Sequence, residues 1–159
     1  MKYQSTKLFD GYSIAVRQWK AKHSHCQLLH GYGVYFHITF ESIDGTLDEM
    51  NWVQDYGSFK QNGLLDWLKE NFDHTTLIEK DDPFLPLFQD MAMSGICKLV
   101  VMEKMGMETV AKMIFEKFNE RLALIEGGRV KVVRVEAFEH NKNSAIYCEN
   151  NKINSDPVF

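Results

Sequence analysis

Apolar and polar positions alternate along the first third of the chain. In Tyr12-Ser13-Ile14-Ala15-Val16-Arg17-Gln18, the residues Tyr12, Ile14 and Val16 fall on one side. In the run from Tyr32 to Phe40, the residues Tyr32, Val34, Phe36, Ile38 and Phe40 do the same. A side-chain period of two with one apolar face predicts two antiparallel strands. The link between them is polar and carries Lys20, Lys22, His23, Ser24, His25 and Cys26. After the second strand, Asp44-Gly45 marks a turn.

Past Asp55 the period changes. Phe59, Leu64, Leu65, Leu68 and Phe72 share much of one helical face and predict a helix. Asp81-Asp82-Pro83 reads as a turn or helix entry, Phe84 to Met93 as a short helix, and Lys98 to Met102 as a short buried strand. Met107 to Leu124 is the strongest helix, with Val110, Met113, Ile114, Phe118 and Leu122 at helical spacing and Gly127-Gly128 stopping it. From Val130 to Phe138 alternation returns, with Val133, Val135 and Ala137 expected on one side. A turn at His140 to Asn143 leads to a last strand, Ser144 to Cys148. Strands in hairpins, rather than alternating singly with helices, predict an α+β domain. Its four-stranded antiparallel sheet would carry two main helices on one face. The domain is expected over residues 1–149, with residues 150–159 a polar tail.

Composition narrows the classes. A chain of 159 residues is one domain's worth, and 45% hydrophobic with 25% charged residues is ordinary globular usage. A net charge of −4 argues against an electropositive nucleic-acid surface. Three cysteines cannot all pair, so a disulfide framework is excluded and a reducing compartment fits. The first residues, Met1 to Lys7, lack a signal-like apolar stretch, and no run is long enough to span a bilayer. The expectation is a cytoplasmic protein without membrane or nucleic-acid partners. Six histidines and three cysteines leave two chemistries open, a metal site or a reactive thiol.

One ordered set of residues goes beyond composition. Cys26 stands four residues before His30-Gly31-Tyr32, Val53-Gln54-Asp55-Tyr56 follows, then Asp73-His74, then Met107-Glu108-Thr109 at a helix start, then Phe138-Glu139-His140. Taken singly, a cysteine is more often a small buried hydrophobe, an Asp-His a solvated helix end, and a Glu beside a turn a surface residue. Together a thiol, an Asp-His pair and a carboxylate suffice for proton transfer. In this order, from about Leu8 to Cys148, they resemble the 6-pyruvoyl-tetrahydropterin synthase family. Its bacterial branch is the 6-carboxy-tetrahydropterin synthase of queuosine and deazapurine biosynthesis.

The resemblance implies the T-fold, in which small antiparallel sheets close into barrels by oligomerisation, as trimers or hexamers, with sites between subunits. It implies a pterin-type ligand such as 7,8-dihydroneopterin triphosphate and a lyase-type reaction. It implies Cys26 as the proton-transferring base, Asp73 and His74 as the pair that poises it, Glu139 as the anchor for the pterin ring, and Glu108 as a further substrate contact. It also implies zinc on three histidines, polarising the oxygens of the pterin side chain. Here the sequence departs. Of the zinc positions only His30 is a histidine; Gln18 and Tyr32 stand at the others, and Met105-Gly106 replaces the usual Pro-Thr. His23 and His25 offer substitute nitrogens, or are plain loop residues. His37 falls on the opposite strand face from His30, and His140 reads as a turn residue. Two functions follow from this: a pterin-handling lyase, or a catalytically inactive or repurposed binding module that keeps Glu139 and dispenses with zinc.

Overall fold

The computed structural model describes residues 1–149, so the expected tail at 150–159 lies outside the described residues. The element order is β1 (Gln4–Val16), a single 3-10 turn (His25–Gln27), β2 (His30–Ser42), α1 (Ser58–Gln61), α2 (Leu64–Phe72), β3 (Thr75–Glu79), α3 (Leu85–Met93), β4 (Lys98–Met102), α4 (Met107–Ile125), β5 (Val130–His140) and β6 (Asn143–Cys148). The strands form one sheet in the order β4-β3-β1-β2-β5-β6.

Four of them, β1, β2, β5 and β6, pair antiparallel as expected. The sheet is larger than four strands, however. β3 runs parallel to β1 over Ile14–Val16, and β4 runs parallel to β3. The β3 segment Thr-Thr-Leu-Ile-Glu is buried at every position, so it lacks the polar alternation by which a one-sided strand is found. Conversely, β4 was expected to be buried but is an edge strand with only Met102 fully covered.

The antiparallel strands bury Ile14, Val16, Val34, Phe36, Ile38, Phe40, Val135 and Ala137 against helices on one face. α4 supplies Val110, Ala111, Ile114, Phe118 and Leu122, a stripe at three- and four-residue spacing. Phe9, Phe40, Phe59 and Phe118 meet at ring-centroid distances of 5.3 to 6.4 Å. The rings join the covering helices to the sheet.

Two local departures have clear causes. The helix expected from Phe59 to Phe72 is split, because Asn62-Gly63 breaks it and Gly63 adopts φ 82°, a left-handed conformation suited to glycine. In β5, Thr39 pairs with Arg134 and Phe40 with Val132, so Val133 is an extra residue in a bulge. The bulge reverses parity, and Val132, not Val133, joins Val135 and Ala137 in the core. The side chain of Asn119 steadies that point, donating to the Val132 carbonyl at 3.0 Å and accepting from its N–H at 2.8 Å.

Candidate functional site

The site builds from where β1 ends and β2 begins. Directly paired residues of antiparallel strands share a face, and Val16 pairs with His30 while Ile14 pairs with Tyr32. His30 and Tyr32 therefore lie on the helix-covered face. After Val16 the chain loops out and returns through the 3-10 turn holding Cys26. The loop is pinned where the Gln18 N–H donates to the Cys26 carbonyl at 2.7 Å. Ser24 caps the turn by accepting from the Cys26 N–H at 3.2 Å.

Tyr32 is the centre of what converges here. Its ring meets His30 edge-on at 5.0 Å and lies 6.1 Å from the ring of His140. Its phenol pKa is raised, first by burial and then by the nearby charges of Glu139 and Cys26. Phe138 pairs with Tyr35, which brings Glu139 level with Val34, a core-facing position one step from Tyr32. Glu139 accepts from the Asn143 side-chain amide at 2.9 Å, and Asn143 also contacts His140 Nε2 at 3.2 Å. His140 thus borders the site and is more than a turn residue. No pattern within the sequence could pair it with Tyr32, over a hundred residues away.

The start of α4 closes another side. Gln18 Nε2 donates to the Met105 carbonyl at 3.2 Å. A side chain at Gly106 would come within 3.0 Å of the Glu108 carboxylate and 3.7 Å of Gln18 Nε2, so Glu108 and Gln18 are neighbours. Cys26, His30, Tyr32, Gln18, Glu108 and Glu139 are accordingly gathered at one end of the sheet.

Asp73 and His74 are placed differently. They lie between α2 and β3, with His74 at φ 56°. Asp73 Oδ1 and His74 Nδ1 are 2.8 Å apart, an intact pair, yet the His74 side chain is 85% exposed. The charge of Asp73 acts on Tyr12, whose phenol is raised by burial first, then Asp10 and Asp73. Tyr12 is six residues before Gln18, up to about 20 Å along an extended chain at ~3.3 Å per residue. Among the described residues no hydrogen bond or ion pair joins Asp73–His74 to Cys26.

The remaining candidates are dispersed too. Asp55 and Tyr56 line an open pocket of about 580 Å³ with Tyr3, Trp52 and Val53, beside the start of β1. His23 and His25 are exposed. Among the described residues no three His, Cys, Asp or Glu side chains are grouped so that they could hold a metal ion. All three cysteines are free. No helix among the described residues is long and apolar enough to cross a membrane.

One cluster escaped the sequence reading. Lys20 bridges Glu79 at 2.9 Å and Asp81 at 2.6 Å, and Arg17 reaches the buried Asp82 at 2.7 Å. These contacts tie the exit of β1 to the turn after β3.

Comparison with known proteins bears on the family and the fold. The family model for 6-pyruvoyl tetrahydropterin synthase matches residues 6–150. A 6-carboxy-5,6,7,8-tetrahydropterin synthase of Aquifex aeolicus is 33% identical over 129 residues, covering 78% of this chain and 76% of that protein. An uncharacterised protein of Wolinella succinogenes superposes with a TM-score of 0.78 at 22% identity, over 94% of this chain and 99% of that one. The 6-pyruvoyl tetrahydropterin synthase of Plasmodium vivax shares the fold at TM-score 0.64 and 12% identity, over 94% and 99%. Spanned almost throughout by the family model and closely matched by a curated relative, the chain belongs to the 6-pyruvoyl tetrahydropterin synthase family.

Proposed function

We propose that this protein is a synthase-like member of the family that acts on a dihydropterin such as 7,8-dihydroneopterin triphosphate. The observation that carries the reading is the gathering of Glu139, bridged to His140 through Asn143, and of Cys26 around Tyr32 at one end of the sheet. A carboxylate such as that of Glu139 grips the amino and ring N–H groups of a pterin through two charge-assisted hydrogen bonds. The Cys26 thiol takes the proton from the pterin side chain. Glu108, at the first turn of α4, contributes a second carboxylate to the substrate. The name of the Aquifex relative makes 6-carboxy-tetrahydropterin the first product to assay.

Asp73 and His74 serve as the relay in this reading, acting on Cys26 of a second copy in a trimer or hexamer. The outward exposure of an otherwise intact pair supports that division of labour. The protein would work in the cytoplasm.

A second reading has its own observation. With a single imidazole at the family's zinc positions, the chain could keep the ring anchor and lose the reaction, as a repurposed binding module. Turnover of 7,8-dihydroneopterin triphosphate separates the two. Product formed by the wild type and lost in Cys26→Ala by about 10²–10⁴-fold fits a general base. Pterin binding without product supports the binding module. Unchanged pterin affinity in Glu139→Ala removes the anchor from both.

A further inference from the structure

The donor set at this site does not suit zinc. Zinc in proteins takes three or four nitrogen, sulfur or carboxylate ligands. Directly across from His30 stands Val16, a hydrocarbon side chain only 3% exposed. The next pair across the strands is Ile14 with Tyr32, again without an imidazole. Gln18 lies beyond, its amide nitrogen already donating to the Met105 carbonyl. A neutral phenol and a carboxamide are poor zinc ligands beside imidazole. His30 is thus left as one nitrogen ligand. A carbonyl can only accept, so the 2.6 Å contact with Leu28 has His30 donating from Nδ1.

What occupies the space instead is a hydrogen-bond donor. The Tyr32 ring is held by two aromatic neighbours, edge-on to His30 and tilted to His140. Its hydroxyl finds no acceptor among the described residues, whereas that of Tyr56 is committed to the Thr6 carbonyl at 2.9 Å. A ring held between His30 and His140, with a free hydroxyl, is a preorganised donor.

We propose that this site handles its ligand without zinc, and that the Tyr32 hydroxyl takes over the metal's contact by donating a hydrogen bond to an oxygen of the ligand's side chain. The inference rests on the pterin reading above. It makes Tyr32 a selector for pterins whose substituent carries oxygen, and indifferent to the bare ring.

The test uses the full-length protein and two probes, 7,8-dihydroneopterin, which carries side-chain hydroxyls, and pterin, which has no side chain. Affinities are measured by calorimetry with EDTA and with added zinc, and the metal content of the purified protein is determined. The expected result is substoichiometric zinc and dihydroneopterin affinity unaffected by EDTA. Tyr32→Phe should weaken dihydroneopterin by about three- to tenfold, the scale of one hydrogen bond, and leave pterin unchanged. Stoichiometric zinc, binding abolished by EDTA, or equal loss or no loss for both probes in Tyr32→Phe overturns this inference alone. If the wild type binds neither probe, the pterin reading falls and this inference falls with it.

Discussion

The two halves of the sheet carry their chemistry in opposite ways. The antiparallel half gathers Cys26, His30, Tyr32 and Glu139 within one chain, from residues that are more than a hundred positions apart. The parallel wing of β3 and β4 presents Asp73 and His74 at a corner, with the imidazole turned to solvent. The first arrangement is finished when the monomer folds. The second stands apart from it, and the proposed function gives it a role only against a neighbouring copy. Between the halves lies a joint. Arg17 packs over the Phe84 ring and reaches Asp82, whose other oxygen accepts from the Phe84 N–H at 2.9 Å. Lys20 reaches Glu79 and Asp81 alongside.

The sharpest way to break this contrast is to separate the halves genetically. Cys26→Ala and His74→Ala should each lower turnover by about 10²–10⁴-fold. Co-expressed, the two variants should recover about a quarter of wild-type activity, since random assembly in a symmetric oligomer restores that share of sites with both residues intact. No recovery would mean that the two residues act within one chain, or that His74 has no part in the reaction.

A smaller effect tests the joint. The Asp82 side chain is fully buried and its partner Arg17 is largely covered, with 18% of its side chain exposed. Removing one member of a buried pair strands the other, and Asp82→Ala should cost about 3–5 kcal/mol in urea unfolding. A loss below about 1 kcal/mol would place this contact among the weak surface pairs.

The smallest effect lies in acid. Lys20 holds the Asp81 carboxyl down to about 2, from an ordinary value of 3.8, chiefly by their hydrogen bond. A depressed acid stabilises the fold above its unfolded pKa and loses that contribution as pH falls through its folded one. Lys20→Met should therefore return the Asp81 titration toward 3.8 in carbon-detected NMR. The part of the acid sensitivity that Asp81 contributes between about pH 4 and 2 should then shrink, while the neutral-pH midpoint barely moves. An Asp81 titration that stays put would detach Lys20 from the wing.

Much of this was legible in the chain before its structure, and the failures have physical causes. Alternation located β1 and β2, because each buries one face. It missed β3, where Thr75, Thr76, Leu77, Ile78 and Glu79 are all covered and period two is erased. It misassigned Val133, because a bulge adds one residue and reverses every side chain after it. It ran one helix through Asn62-Gly63, although that dipeptide is a turn signal. At the site, motif order drew attention to Cys26, His30, Tyr32 and Glu139. It could not show that His140 backs Tyr32, that Val16 rather than a ligand faces His30, or that Asp73–His74 stands apart. Those are facts of strand register and tertiary approach.

The pairing of β2 with β5 also governs how the molecule is made. Tyr35 finds Phe138 only after about a hundred further residues have been synthesised, whereas the β1–β2 hairpin can close early. During translation that hairpin presents Phe36, Ile38 and Phe40, which Phe59 and Phe72 of α1 and α2 cover in part and α4 covers only when it emerges. Such non-local pairing gives a high contact order and slow folding. The hairpin's apolar face is therefore complete well before the helix that closes over it, and a nascent chain carries that face to its neighbours in the meantime.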